Sequence, residues 1–132
     1  MEPAVASFLD EWHKMVAAQN PELISHRILD SATISSPMFW KPKGPKPYVM
    51  TILKAVTEAF EDFRYTKEWI DGREMILEFE AHVGDVHLKG IDRITLDANG
   101  NMTHLEVLIR PFNALQALAQ HVMAAFAKQP AA

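Results

Sequence analysis

The side chain best placed to do chemistry is an aspartate standing where an alternating strand calls for an apolar residue. From Val86 to Leu96 the even positions read Val86, Leu88, Gly90, Asp92, Ile94 and Leu96, against His87, Lys89, Ile91, Arg93 and Thr95 at the odd ones. A period of two marks a half-buried strand, so Asp92 is predicted on the inner face. An ionised carboxylate there is costly unless it is paired, hydrogen-bonded or protonated. Desolvation would raise its pKa and make it a general acid or hydrogen-bond donor. The structural alternative is an aspartate bonded to a helix residue such as Lys14 or His13, or a bulge that turns it outward.

Other polar candidates are fewer. Ser36 sits on the apolar face of a short strand, and its hydroxyl is no base at neutral pH without a partner. Trp12, Trp40, Tyr48, Phe60, Tyr65 and Trp69 could line a pocket for a flat hydrophobic ligand, although each alone reads more readily as core. Glu78, Glu80, His82, His104 and Glu106 share the face opposite the apolar one. Their spacing matches no metal signature, so a solvated or dimer-facing surface is the favoured reading and neither metal nor cofactor is expected. His82 would reach the cavity only if a bulge at Gly84 shifted the register. Lys41, Lys43 and Lys46 beside Trp40 could meet an anionic group, but such a Pro/Lys stretch is more often a soluble connection. The chain has no phosphate-cradling Gly-rich loop and no supportable Ser-His-Asp order.

The elements that must position these residues follow from hydrophobic spacing. Val5, Phe8, Leu9, Trp12, Met15 and Val16 make one face of a helix, with Pro3 in its first turn. Asn20-Pro21 then opens a short helix carrying Leu23, Ile24, Ile28 and Leu29 and ending near Asp30. Ala32, Ile34, Ser36 and Met38 alternate as a short strand whose Pro37 suggests an edge. After the Pro-rich Phe39–Pro47 connection, Val49, Ile52, Leu53, Val56 and Phe60 form another helix face. Phe63, Tyr65, Lys67 and Trp69 predict one face of a strand, and Met75, Leu77, Phe79, Ala81 and Val83 one face of the next, with Asp71-Gly72 between them. The Asp92 strand and its partner (Leu105, Val107, Ile109) turn at Asn99-Gly100. A last helix after Pro111 places Phe112, Leu115, Leu118, Ala119, Val122 and Phe126 on one side, and Gln129–Ala132 is expected to fray.

Composition bounds the answer. With 132 residues, 48% hydrophobic and 23% charged, the chain suits one globular domain over residues 1–132. A net charge of −4 gives no basic field for a phosphate backbone, so nucleic acid is not an expected partner. Without cysteine there is no disulfide, thiolate nucleophile or Cys-based zinc site. Neither a signal peptide nor an apolar run of about 18 residues is evident, so no membrane is expected and a cytoplasmic location is. Helices segregated on an antiparallel sheet make an α+β fold, and a curved sheet wrapped over N-terminal helices leaves a cone with an internal cavity.

This order, with FLDEWHKMVAAQNPELISHRILDSATISSP at the front and GIDRITLDANGNMTHLEVLIRPFNAL at the back, resembles the SnoaL-like branch of the nuclear transport factor 2-like superfamily. The resemblance covers nearly the whole chain and rests on the Ala32–Pro37 strand, the Phe63-Arg64-Tyr65 strand start and the Gly90-Ile91-Asp92 … Gly100 … Arg110-Pro111 frame. It implies a cavity between the concave sheet face and the helices, and homodimers through the sheet's outer face. Its members include ketosteroid isomerases, polyketide cyclases, dehydratases, epoxide hydrolases and non-catalytic binding or dimerisation modules. By that resemblance Asp92 matches the isomerase's inward acid, kept neutral to donate a hydrogen bond. The isomerase's proton-shuttling Asp falls at Ser36, and no Tyr stands on the first helix. The epoxide-hydrolase arginine position is Gly90. The expectation is a binder of a hydrophobic small molecule, open to cofactor-free acid–base chemistry of the isomerase, cyclase or dehydratase kind through Asp92. The alternative is a non-catalytic binding or dimerisation module.

Overall fold

The structure is a computed structural model describing residues 1–128. Helix α1 (Pro3–Ala18) buries Val5, Phe8, Leu9, Trp12 and Met15, the stripe its spacing predicts. Gln19 closes it in the left-handed conformation, φ 52°, with its N–H directed to the carbonyls of Met15 and Val16. Asn20 then caps a 3-10 helix, Pro21–Arg27, by accepting from the Glu22 N–H at 3.2 Å.

This second helix is shorter than its apolar residues suggest. Ile28 is already in β1 (Ile28–Ser35), paired with Met102. Sheet pairing overrides the local helical spacing that ran on to Asp30, because pairing Ile28 with Met102 still buries Ile28.

Helix α2 (Lys46–Ala59) starts with proline in its first turn and packs Val49, Ile52 and Leu53 inward. Four strands follow: β2 (Glu61–Asp71), β3 (Glu74–Val83), β4 (Val86–Leu96) and β5 (Met102–Arg110). They form an antiparallel meander, and β1 lies beside β5, giving the order β1-β5-β4-β3-β2. The β1–β5 pairing is parallel, so the sheet is mixed at that edge. Lys43 bridges back to Ile34 and covers the outer side of β1. Gly100 in the β4–β5 turn has φ 78°, and a Cβ there would lie 2.6 Å from the Ala4 carbonyl, so the turn abuts the start of α1.

Helix α3 (Phe112–Ala127) buries Leu118 and Val122 of the expected face and packs Phe126 against the core, but Ala114 is buried in place of Phe112, which is 71% exposed. The smaller Ala114 lets the helix approach the sheet and leaves the larger Phe112 outside. The fraying expected at Gln129–Ala132 lies outside the described residues.

The concave face of the curved sheet and the three α-helices enclose one continuous apolar core, with Ile34, Leu77, Phe79, Ile94 and Leu105 facing Phe8, Trp12 and Val49. The fold is α+β. Among the described residues no helix is long and apolar enough to cross a membrane.

Candidate active site in the cone

Asp92 faces inward and is 9% exposed, the one buried charged or polar residue among those described. Its neighbours across the sheet are Leu77 on β3 and Val107 on β5, neither with a side chain able to bond a carboxylate. The partner comes from two strands away. Tyr65 on β2 pairs with Phe79 on β3, and Phe79 with Gly90 on β4. A Cβ at Gly90 would lie 2.6 Å from Phe79 Cζ and 2.5 Å from the Leu108 carbonyl, so the Phe79 ring lies in the space that a side chain would fill. Tyr65 leans across β3 and donates its hydroxyl to Asp92 Oδ2 at 2.8 Å. Trp12 on α1, stacked on Phe8 with ring centroids 5.8 Å apart, donates its indole N–H to the Tyr65 oxygen at 2.8 Å.

The helix residues weighed as structural partners of Asp92 point elsewhere: Lys14 pairs with Asp10 at 2.9 Å and His13 with Glu68 at 2.5 Å. Burial pushes the Asp92 carboxyl from its ordinary 3.8 up to about 7, and the Tyr65 hydrogen bond pulls part of the way back. Burial and the neighbouring carboxylate push the Tyr65 phenol well above its usual range. Asp92 is therefore poised between its two protonation states at neutral pH.

The carboxyl and the Tyr65 ring border a cavity of about 70 Å³. Trp12, Met15, Val16 and Gln19 supply one wall, Leu53, Val56, Thr57 and Phe60 another, and Phe63 with Tyr65 a third. Phe60, Phe63 and Phe79 stack at 4.9–5.6 Å to make the aromatic side. Exposed Gln19 and half-buried Val16, Val56, Thr57 and Phe63 mark the mouth.

Of the residues predicted for a site, Trp12, Phe60, Tyr65 and Asp92 meet here, and the other four do not. Ser36 lies just beyond β1 and accepts the Met38 N–H at 3.1 Å, outside the cavity lining. Trp40 is 95% exposed, because the prolines around it form no regular element that could press it inward. Tyr48 stacks on Phe126 of α3 at 4.9 Å. Trp69 is on the outer face: the β2–β3 register shifts between Tyr65 and Lys67, so Trp69 pairs with outward Ile76 while Glu68 pairs with inward Leu77. An inserted residue reverses every side chain after it, and so the Phe63, Tyr65, Lys67, Trp69 face does not exist beyond Tyr65.

Gln19 and Thr57 escaped the sequence reading, and only their positions at the inward ends of apolar helix stripes could have suggested them. His82 stays outside the cavity, bonded to Asp62 at 2.7 Å and to the Gly84 carbonyl at 2.8 Å. His104 bonds the hydroxyls of Thr33 and Ser35 on the outer face. Among the described residues no group of three or more His, Asp or Glu side chains is placed to hold a metal ion.

No family model matches the chain, and no curated protein matches it. Solved structures do. A steroid delta-isomerase of Pseudomonas aeruginosa shares 38% identity, with 96% of this chain and 94% of that one aligned at a TM-score of 0.92. An uncharacterised protein of Silicibacter pomeroyi with a cystatin-like fold is 27% identical over 98% of this chain and 89% of its own, TM-score 0.86. A protein of Cytophaga hutchinsonii described as NTF2-like and of unknown function shares the fold at 15% identity, 87% and 97% coverage and a TM-score of 0.67. A likeness this extensive in sequence to the Pseudomonas protein, with the same fold in all three, means that the chain belongs to the SnoaL-like branch of the nuclear transport factor 2-like superfamily.

Proposed function

We propose that the chain binds a small hydrophobic molecule carrying a carbonyl or similar oxygen, with the apolar part in the cone and the oxygen against Asp92. The observation that carries this reading is the buried Asp92 carboxyl beside an apolar, aromatic-lined cavity, held near neutrality by burial. In its protonated state it donates a hydrogen bond to a ligand oxygen; in its ionised state it accepts a proton from an acidic carbon. Cofactor-free isomerase, cyclase or dehydratase chemistry needs such a group, and the 38% identity to a protein described as a steroid delta-isomerase supports it.

Ser36 does not replace a second carboxyl, since it is absent from the lining. Asp92 alone among the lining groups titrates near neutral pH, so one carboxyl would have to take and return the same proton. That scarcity favours the second reading, a binder without turnover. Drug-sized ligands occupy pockets of roughly 300 Å³ or more, so the 70 Å³ cavity must widen at its mouth to admit one.

Binding of cyclic ketones, followed by calorimetry, tests the first step. Affinity is expected to fall as pH rises through about 7, because the donor proton is lost, and this dependence should vanish in Asp92→Asn. Equal affinity for the parent at pH 6 and pH 8 would sink the role of Asp92. Exchange of the ketone's α-hydrogens in deuterium oxide then separates enzyme from binder: Asp92→Asn should slow exchange at least about tenfold, and no exchange in the parent leaves binding alone.

We infer that the outer sheet face joins two copies. After the β2 bulge, Trp69 and Ile76 pair directly, Ile91 and Leu108 pair directly, and Ile76 and Ile91 are diagonal neighbours. Trp69 is 43% exposed and Leu108 50%, an apolar diagonal of the kind that solvent-facing sheets bury by association.

A further inference from the structure

We propose that Trp12 is a positioning residue: through Tyr65 it fixes which oxygen of Asp92 carries the proton, leaving Oδ1 as the oxygen presented to a ligand. The inference deepens the reading of the cavity as a ligand site and rests on it for its consequence, but not for its test.

The indole N–H can only donate. At 2.8 Å from the Tyr65 oxygen it occupies one lone pair there. The phenol has one proton, confined near the ring plane, and the acceptor within its reach is Asp92 Oδ2 at 2.8 Å. In the reverse arrangement Asp92 would donate to Tyr65, and the phenolic proton, kept near the ring plane, would have to turn to the side that the indole N–H of Trp12 occupies, where it meets a second donor and no acceptor. A buried hydroxyl without an acceptor is costly, and no described buried side-chain polar atom lacks a partner. Oδ2 is thus an acceptor in both protonation states of Asp92, and the proton, when present, is on Oδ1.

Trp12 holds this direction from outside the reacting group. It is 2% exposed and stacked on Phe8, so its place is set by the core of α1 and not by whatever fills the cavity. A donor on the phenolic oxygen also polarises the hydroxyl and strengthens its bond to an ionised carboxylate. Trp12 therefore restrains the rise of the Asp92 pKa that burial drives, without touching the carboxyl.

The test follows the Asp92 titration by the NMR shift of its labelled carboxyl carbon, with no ligand present, in the parent, Trp12→Phe, Tyr65→Phe and the double variant. Both single changes keep an aromatic ring in place. Trp12→Phe frees Tyr65 to accept from the protonated carboxyl, so the midpoint should rise by about half a pH unit or more, and Tyr65→Phe should raise it further. In the Tyr65→Phe background, Trp12→Phe should add nothing. A merely structural tryptophan would lower thermal stability without this dependence on Tyr65. An unmoved midpoint in Trp12→Phe, or an equal shift in both backgrounds, overturns the proposal.

A second measurement needs no variant. The indole proton of Trp12 in the parent should shift with the Asp92 midpoint, whereas those of Trp40 and Trp69 should not; a Trp12 indole blind to that titration is equally fatal. Failure of ketone binding with the expected titrations would remove the ligand reading and leave the positioning role standing.

Discussion

Asp92 makes the stability of the protein depend on pH in a direction opposite to that of a salt-bridged carboxylate. Its folded pKa, about 7, lies above its ordinary 3.8. Below the lower value both folded and unfolded chains hold the proton. Between the two the unfolded chain releases it and the folded chain keeps it, so stability falls as pH rises and levels off above the folded pKa; the full loss is roughly 4 kcal/mol. Asp92→Asn cannot ionise but still accepts from Tyr65. Between pH 5 and pH 8 this variant should therefore gain on the parent by about 2–3 kcal/mol in urea unfolding. Parallel curves for the two proteins would show that Asp92 is not desolvated. Alternation along Val86–Leu96 made Asp92 legible as an inward acid, since one face of that strand is apolar but for it. Its bond to Tyr65 was not legible, because it depends on β3 lying between the two strands and on Gly90 leaving room for Phe79.

At the scale of the element, the sheet bends the site into being through two local departures from regularity. One is Gly90, where Phe79 occupies the space of a side chain. Ala at this position would drive its Cβ against a backbone carbonyl as well as a ring, and the carbonyl cannot rotate away. Gly90→Ala should cost about 2 kcal/mol or more in urea unfolding. An unchanged midpoint would show that the strands can part there without loss. The other departure is the β2 bulge, where Thr66 is left out of the pairing and bonds the Glu78 carboxylate at 2.8 Å and the Glu78 carbonyl at 3.3 Å. Of the odd-numbered set, Phe63 and Tyr65 before it face inward, whereas Lys67 and Trp69 after it face outward. Phe63, Tyr65, Lys67 and Trp69 alternate without fault as letters, so no pattern of types reveals the insertion. The 3-10 helix fails to be legible for a related reason: Ile28 and Leu29 suit a helix face as well as a strand, and the pairing with Met102, 74 residues later, decides.

For the whole molecule, the two faces of one sheet differ in charge as well as in shape. On the inner face Asp92 is the one buried charged residue among those described. On the outer face Glu74 pairs with Arg93 at 3.1 Å, Glu78 and Glu80 lie 3.7 and 3.9 Å from Lys89, and Arg64 meets Glu80 at 2.5 Å. Neutralised within the chain, these acids would not repel a second copy, and the apolar diagonal of Trp69, Ile76, Ile91 and Leu108 is left to drive contact. A two-fold interface presents each patch to itself, so a charge placed at its centre meets its own image and is penalised twice. Leu108 is half exposed, and its replacement by a charged residue disturbs little of the fold itself. Leu108→Glu should shift the protein from dimer to monomer in sedimentation at micromolar concentration, with thermal unfolding of the monomer still cooperative. Lys54→Gln, on α2 and not on the sheet, should leave the dimer intact. A parent that sediments as a monomer, or a Leu108→Glu variant that remains dimeric, would mean that this face does not join two copies.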